Sequence, residues 1–417
     1  EELRVLGEST PVPGQSVYLT IDRDLQQAVQ NAFTEAYNVG TVWSGTSRGA
    51  AAVIMNVKTG EILAMVSYPG FDPGLFNRDT PVYDPQAAIL ELNSDFRTPL
   101  LNRATMGAYP AGSVFKIIST AAGLDSGVYT PDTGLTCTGT WYGAEYGDGR
   151  DSRTDWLPPP GHGYVNFRGA LAQSCDPYYW QLGVALHNAD PKMLTNYAYE
   201  MGLGVPTGLA DLEELVGQIP NEELIFRLNA RSWNISDTLN MVIGQGEMQI
   251  TPLQIAHMVA AIANGGTLYK PYLVSKVQLI GETPAYVAQP TALSVLDYDP
   301  SVFQTIRDAM CDVTLDVNGT ANYMFEDWYD FQGKRVIVCG KTGTAQTGSE
   351  TTNPQAWFVA YAPQDDPEIA VAVIVENSCE GSEVAAPIVR RIIEDYYQMP
   401  HGEWPPLWQT GCSTTAR

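Results

Sequence analysis

The chain lacks any apolar run of the roughly 18–20 residues that a membrane span needs. It also has no initiator methionine and no signal peptide. Its opening, EELRVLGESTPVPGQ, is polar and rich in Pro and Gly, so it reads as part of a longer protein. Basic residues are scarce: 23 Lys and Arg stand against 47 Asp and Glu, for a net charge of −24. With no basic run interleaved with aromatics, this balance argues against a phosphate-tracking surface and against nucleic acid as a partner. Six cysteines are too few for a disulfide scaffold and leave the compartment open. No internal repeat or low-complexity tract is visible.

What is present is a hydrophobic share of 44%, that of a folded globular chain. TIDRDLQQAVQNAFTEAYNVG predicts a helix with Asp22 as N-cap, Leu25, Val29 and Phe33 on one face, and Gly40 as the stop. AAAVIMNVKTGEILAMVSYP reads as a hairpin turning at Lys58-Thr59-Gly60. Residues 71–108 read as loop with short helices. A helix is expected from Ser113, and the stretch 131–163 as loop. Helical patterns return at 168–188 and 191–202, and again from Pro252 to Gly265. RVIVCGKTGTAQ, AWFVAYAP and EIAVAVIVEN have the spacing of an antiparallel sheet, and AAPIVRRIIEDYY closes as an amphipathic helix. The sum is α+β: a mostly antiparallel sheet with helices in front and behind.

One residue in YPAGSVFKIISTAAGLDSG is out of keeping with its surroundings. Lys116 sits in an otherwise apolar segment, three residues after Ser113. Serine needs a base to take its proton, and residues i and i+3 of a helix share a face. Burial disfavours the ammonium form, so such a lysine can serve as that base. Taken alone, S-x-x-K equally fits a lysine snorkelling to the surface. Two further motifs follow in order: Ser174-Cys175-Asp176, an S-x-D triplet before a helix, and Lys341-Thr342-Gly343-Thr344 at the end of an apolar strand. Lys341 with the Thr342 and Thr344 hydroxyls suits a carboxylate. Gly343 would let a ligand lie against the strand as an added β-strand.

S-x-x-K, S-x-N or S-D-N, and K-T-G in that order form the serine acyl-transferase set of penicillin-binding proteins and β-lactamases. The chain resembles the transpeptidase domain of a class B penicillin-binding protein, of the elongation type. YLTIDRDLQQ, AAVIMNVKTGEILAMVSYPGFDP, NRATMGAYPAGSVFKI, IGQGEMQITPLQIAHMVAAIANGG and VAAPIVRRIIEDYY carry the likeness beyond the motifs. The resemblance implies that family's fold, an antiparallel sheet flanked by helices with an all-helical subdomain. Residues 1–18 would be the remnant of an N-terminal linker or pedestal, 19–398 the transpeptidase domain, and 399–417 a C-terminal tail.

The resemblance further implies Ser113 as the acylated nucleophile and Lys116 as its base. Ser174 would relay a proton, and the backbone N–H groups of Ser113 and Thr344 would form the oxyanion hole. The implied substrate is the D-Ala-D-Ala end of a peptidoglycan stem peptide, with β-lactams as covalent inhibitors. A membrane glycan polymerase would be the partner, met through an N-terminal part absent from this chain, and the setting would be the outer face of the cytoplasmic membrane. The chemistry would need no cofactor. The commoner triplet is S-x-N, and ionised Asp176 only accepts hydrogen bonds, so it could pair with Lys116 and hold it charged. A D,D-carboxypeptidase, a β-lactamase or a β-lactam sensor are the alternatives. Length counts against a β-lactamase, and sensor domains are shorter.

Cys137, Asp155, His162 and Cys175 form C-x17-D-x6-H-x12-C, whose residue types suit a tetrahedral zinc. Some elongation-type relatives are similar in carrying such a metal, which would pin the 131–163 loop beside the S-x-D triplet. A Cys137–Cys175 disulfide, or plain packing of Cys175 with His162 as a loop hydrogen-bonder, fits the same residues. Gln245 in IGQGEMQ fits either a role in ordering the site or packing of a loop. Trp141, Tyr142, Trp156 and Tyr178 fit either a cleft lining or the core. Cys339 reads as buried and inert, and Cys412 lies in the expected tail.

Overall fold

The computed structural model describes residues 14–77, 79, 84–326, 328–329, 333–346 and 352–412. Its central sheet is antiparallel and built from β1 (Ala50–Asn56), β2 (Ile62–Tyr68), β3 (Cys339–Ala345), β4 (Gln355–Ala362) and β5 (Ile369–Val375). The spatial order is β3-β4-β5-β1-β2, so β3, which carries Lys341 to Thr344, lies at an edge. The expected hairpin turns where Gly60 takes φ +82° and donates its N–H to Asn56.

Both faces of the sheet are covered. Trp357, Val359 and Tyr361 of β4 enter one core, while Phe358, Ala360 and Ala362 enter the other. That two-sided burial is why β4 and β5 read as unbroken apolar runs without alternation. The helices around the sheet are α1 (Arg23–Val39), α2 (Lys116–Asp125), α3 (Phe167–Ala172), α4 (Asp176–Ala189), α5 (Pro252–Asn264), α6 (Pro300–Leu315) and α7 (Ala386–Tyr396). Val29 and Phe33 of α1 and Ile388 and Ile392 of α7 share one core. On the other side, α2 and α5 supply Ile117, Ala121, Ile255 and Val259, among others. Beyond them, α3, α4, Met193–Glu200 and Ile235–Met241 pack as the all-helical part.

Local signals act as expected at several ends. The Asp22 carboxylate accepts from the N–H groups of Asp24 and Leu25 and starts α1. Thr251 and Gln254 form a capping box at α5, with Pro252 in its first turn and left-handed Gly265 at its end.

Other expectations change. Ser113 does not open an α-helix but sits in a 3-10 turn, Gly112–Phe115, with α2 beginning at Lys116. The 168–188 pattern is cut in two by Ser174, whose φ of 57° is left-handed, and the break separates α3 from α4. Of the expected lead-in, 1–13 lies outside the described residues, and Ser16–Leu19 is a strand paired with Val274–Gln278. The stretch from 399 packs rather than trailing away: Trp408 is fully buried, donates to the Glu383 carbonyl, and meets Trp43 and Trp404. Cys412 is disulfide-bonded to Cys379 and Cys339 to Cys311, so neither is a lone thiol.

The nucleophile turn is fixed by backbone contact. Gly112 has φ +53° and donates its N–H to Gly244 O at 2.9 Å. A Cβ on Gly244 would stand 2.0 Å from Gly112 O, and one on Gly112 would stand 2.7 Å from Thr344 O. Three distant segments thus meet where only glycine fits. Gly244→Ala is expected to lower stability by on the order of 3 kcal/mol, from left-handed strain plus the clash. Gly281→Ala, at φ +84° with open space around it, carries the strain alone at about 1 kcal/mol. Denaturant unfolding of both variants checks the difference, and equal losses would contradict the close-approach account.

Candidate active site

The turn bearing Ser113 is tied down on each side. Trp357 Nε1 donates to Pro110 O at 2.9 Å, and Tyr109 exchanges backbone bonds with Ile250. Tyr109 Oη donates to Glu376 at 2.6 Å, and the same carboxylate oxygen lies 3.2 Å from buried Arg103 Nε. Gly343 of β3 abuts this turn: an added Cβ would meet Val114 at 2.9 Å and Ala111 O at 3.0 Å. Its smallness therefore serves the approach of strand to turn. Room for an added strand comes instead from the edge position of β3.

Lys116 is 0% exposed. Its ammonium donates to Ser174 O at 2.8 Å, Ser174 Oγ at 3.1 Å and Asp176 Oδ1 at 2.5 Å, and it lies 5.3 Å from the Tyr179 ring. Among the described residues no hydrogen bond joins it to Ser113. The Asp176 pairing anticipated from the triplet is therefore present, and the left-handed turn at Ser174 is what aims both Ser174 oxygens at one nitrogen.

On β3, Lys341 is also 0% exposed and donates to Thr342 O at 3.0 Å. Burial, reinforced by the nearby Lys116 charge, pushes its pKa well down, against a smaller opposing pull from Asp176. Thr342 Oγ1 pairs with Thr320 Oγ1 at 2.8 Å. Thr344 Oγ1 donates to Glu380 Oε2 at 2.5 Å and accepts from Gly381 N–H at 3.2 Å. Gln245 Nε2 reaches Thr344 O at 3.5 Å, which gives that residue a contact with the site. Ser113, Ser174, Asp176, Thr342 and Thr344 line a single cleft of about 100 Å³, together with Trp156, Thr320, Glu380 and Ser382. Sequence reasoning missed Thr320 and Glu380, which come from loops, and Ser382 in the helical turn Gly381–Ala385, none with a motif around it. Of the aromatic candidates only Trp156 reaches the cleft. Trp141 and Tyr178 are core, and Tyr142 is 69% exposed.

The second constellation also assembles. One ligand atom each from Cys137, Asp155, His162 and Cys175 lies within 4.8 Å of the others. Both thiols are free, which removes the disulfide alternative. The Cys137 thiol is lowered to about 7, chiefly by its hydrogen bond with Cys175, whereas burial pushes the Cys175 thiol up. For His162, burial opposes the imidazolium but the Asp155 carboxylate outweighs it, so the net direction is up. His162 Nε2 is buried without a hydrogen-bond partner, 3.0 Å from Asp155 Oδ2. Two thiols, an imidazole nitrogen and a carboxylate fit a zinc donor set. Asp155 joins this cluster to the cleft, since its Oδ1 accepts from Trp156 N–H at 2.8 Å and Asp176 N–H at 3.4 Å.

Residues 50–394 match the family described as the penicillin binding protein transpeptidase domain. The chain is 32% identical over 413 residues to the peptidoglycan D,D-transpeptidase MrdA of Haemophilus influenzae, covering 95% of this chain and 58% of that protein. It is 33% identical over 402 residues to the peptidoglycan D,D-transpeptidase PbpA of Mycobacterium tuberculosis, covering 90% and 72%. Among solved structures, Pseudomonas aeruginosa PBP2 superposes with a TM-score of 0.78 at 32% identity, over 95% of this chain and 82% of that one. With most of its length so matched, the chain belongs to the penicillin-binding protein transpeptidase family, class B, alongside MrdA and PBP2.

Proposed function

We propose that this chain is the catalytic domain of a peptidoglycan D,D-transpeptidase. The observation that carries the reading is the convergence of Ser113, the Lys116–Ser174–Asp176 cluster and the Lys341–Thr344 strand on one cleft. Ser113 Oγ attacks the carbonyl between the two D-Ala residues of a stem peptide, and its proton passes to Lys116. The tetrahedral oxyanion is held by the backbone N–H groups of Ser113 and Thr344. Ser174 hands a proton on to the departing D-Ala amine as the C–N bond breaks, leaving an ester on Ser113. An amine of a neighbouring stem then attacks that ester, forms the new amide and restores the serine. The terminal D-Ala carboxylate lies on Thr342 and Thr344, with the donor backbone along the free edge of β3.

Lys116, held by Ser174 and Asp176 beside the nucleophile turn, is the base that takes the Ser113 proton. A D,D-carboxypeptidase would use water in the second step. The relatives named above as transpeptidases support the amine.

The longer protein to which this chain would belong works at the outer face of the cytoplasmic membrane, beside a glycan polymerase. The support is that one solved neighbour, at a TM-score of 0.81, comes from a peptidoglycan synthase complex coordinating polymerization and crosslinking. The Helicobacter pylori PBP2, at 26% identity, was solved in complex with MreC. No described helix is long and apolar enough to cross a membrane. The unit proposed from the sequence, 19–398, gains the packed segment to residue 412.

Cys137, Asp155, His162 and Cys175 would hold a structural zinc. The ion would supply charge and tetrahedral cross-linking, and Asp155 would carry that order to the Asp176 N–H.

Fluorescent penicillin is expected to form an adduct that mass mapping places on Ser113. Ser113→Ala should abolish it, and Lys116→Ala should slow it by roughly 10²–10⁴-fold. An adduct persisting in Ser113→Ala would overturn the assignment. Asp176→Ala leaves a buried ammonium without its carboxylate and should cost about 3 kcal/mol in denaturant unfolding, whereas Asp176→Asn should cost less and keep labelling. Metal analysis should find about one zinc per chain, reduced in His162→Ala together with a lower unfolding midpoint. Zinc-free protein with Cys137 and Cys175 joined would sink the metal reading.

A further inference from the structure

Glu380 places a second carboxylate in the cleft besides Asp176, and its position matters more than its charge alone. It lies just past β5 at the start of the turn leading to α7, with its backbone N–H on Glu383 Oε2 at 3.4 Å. Its side chain reaches Thr344 Oγ1 at 2.5 Å. A threonine hydroxyl has one proton to donate. Here that proton goes to Glu380, while the oxygen accepts the Gly381 N–H. Thr342 Oγ1 is likewise engaged, with Thr320. The transpeptidase reading, on which this inference rests, needs the Thr344 hydroxyl for the carboxylate of the donor peptide or of a β-lactam. Two carboxylates cannot accept one proton, and held side by side in a narrow cleft they repel.

We propose that Glu380 is a specificity-determining residue: its carboxylate occupies the position on Thr344 that the ligand carboxylate requires, so an anionic ligand binds only by displacing it. Nothing covalent changes in this step. The Thr344 hydroxyl exchanges one charge-assisted hydrogen bond for another of the same kind, and the Glu380 carboxylate, which also accepts the Glu383 N–H as the cap of the following turn, moves off Thr344. The site is thereby filled, when empty, by an internal copy of the group it recognises. Ligands whose affinity leans on that carboxylate bear the cost of displacement, and ligands lacking it do not.

The test uses this chain and its Glu380→Gln and Glu380→Ala variants. Second-order acylation rates are measured with a penicillin bearing its free carboxylate and with the methyl ester of the same penicillin, alongside unfolding midpoints. The free acid should acylate both variants roughly tenfold faster than wild type, the range expected for one charge-assisted hydrogen bond. The ester rate should stay within about twofold of wild type in both, a contrast that a general loosening of the site would not produce. Acid and ester rates that rise or fall together, or an acid rate unchanged or slower in both variants, overturn the inference while labelling at Ser113 leaves the transpeptidase reading intact. Absence of any wild-type adduct at Ser113 would remove that reading and this inference with it.

Discussion

A buried ammonium organises this molecule. Lys116 has no exposure to water, and a charge so placed is tolerated only where partners replace its hydration. Ser174 and Asp176 supply three oxygens and Tyr179 a ring face. To bring them there the chain breaks what would otherwise be one helix, and it does so at a serine in left-handed backbone. The loop before that break is braced in turn by Trp156, whose indole N–H reaches the Gln173 and Ser174 carbonyls. The Asp155 carboxylate, the fold of the 131–163 loop and the thiol cluster are successive supports for one nitrogen. Removing a partner from such a site costs more than the hydrogen bond itself, because the charge left behind has no solvent.

The same site contains a second buried lysine in a different condition. Lys341 donates to its neighbour's carbonyl, and burial together with the nearby Lys116 charge disfavours its charged form. Two buried lysines beside one cleft thus stand in different surroundings. One is held by carboxylate and carbonyl, and burial pushes the pKa of the other down.

Much of this was legible in the sequence, for identifiable reasons. Helix caps at Asp22 and the Pro252 start follow from short-range chemistry, and they stand where expected. The three motifs are legible because acyl transfer constrains residue type and spacing together. The Asp176–Lys116 contact could be anticipated because Asp lacks the donor that Asn has. What escaped reading depends on contacts between distant segments. The 3-10 turn at Ser113 exists because Gly112 is pressed between Gly244 and Thr344, which no local propensity records. Glu380 and Thr320 enter the cleft on loops whose sequences carry no periodic signal. The stretch after 398 reads as a tail, yet Trp404 and Trp408 are the sign that it packs.

The sheet carries one more consequence. Along β3, Lys341 and Gly343 point to one face and Thr342 and Thr344 to the other, opposite Val359, Trp357, Phe358 and Ala356 in turn. A slip of one residue would exchange the two faces outright. A threonine side chain would then be driven against Val114 and Ala111, where even a single added carbon has no room. The pairing that assembles the hydrophobic core is therefore the same pairing that sets the two hydroxyls and the lysine of β3 at their positions.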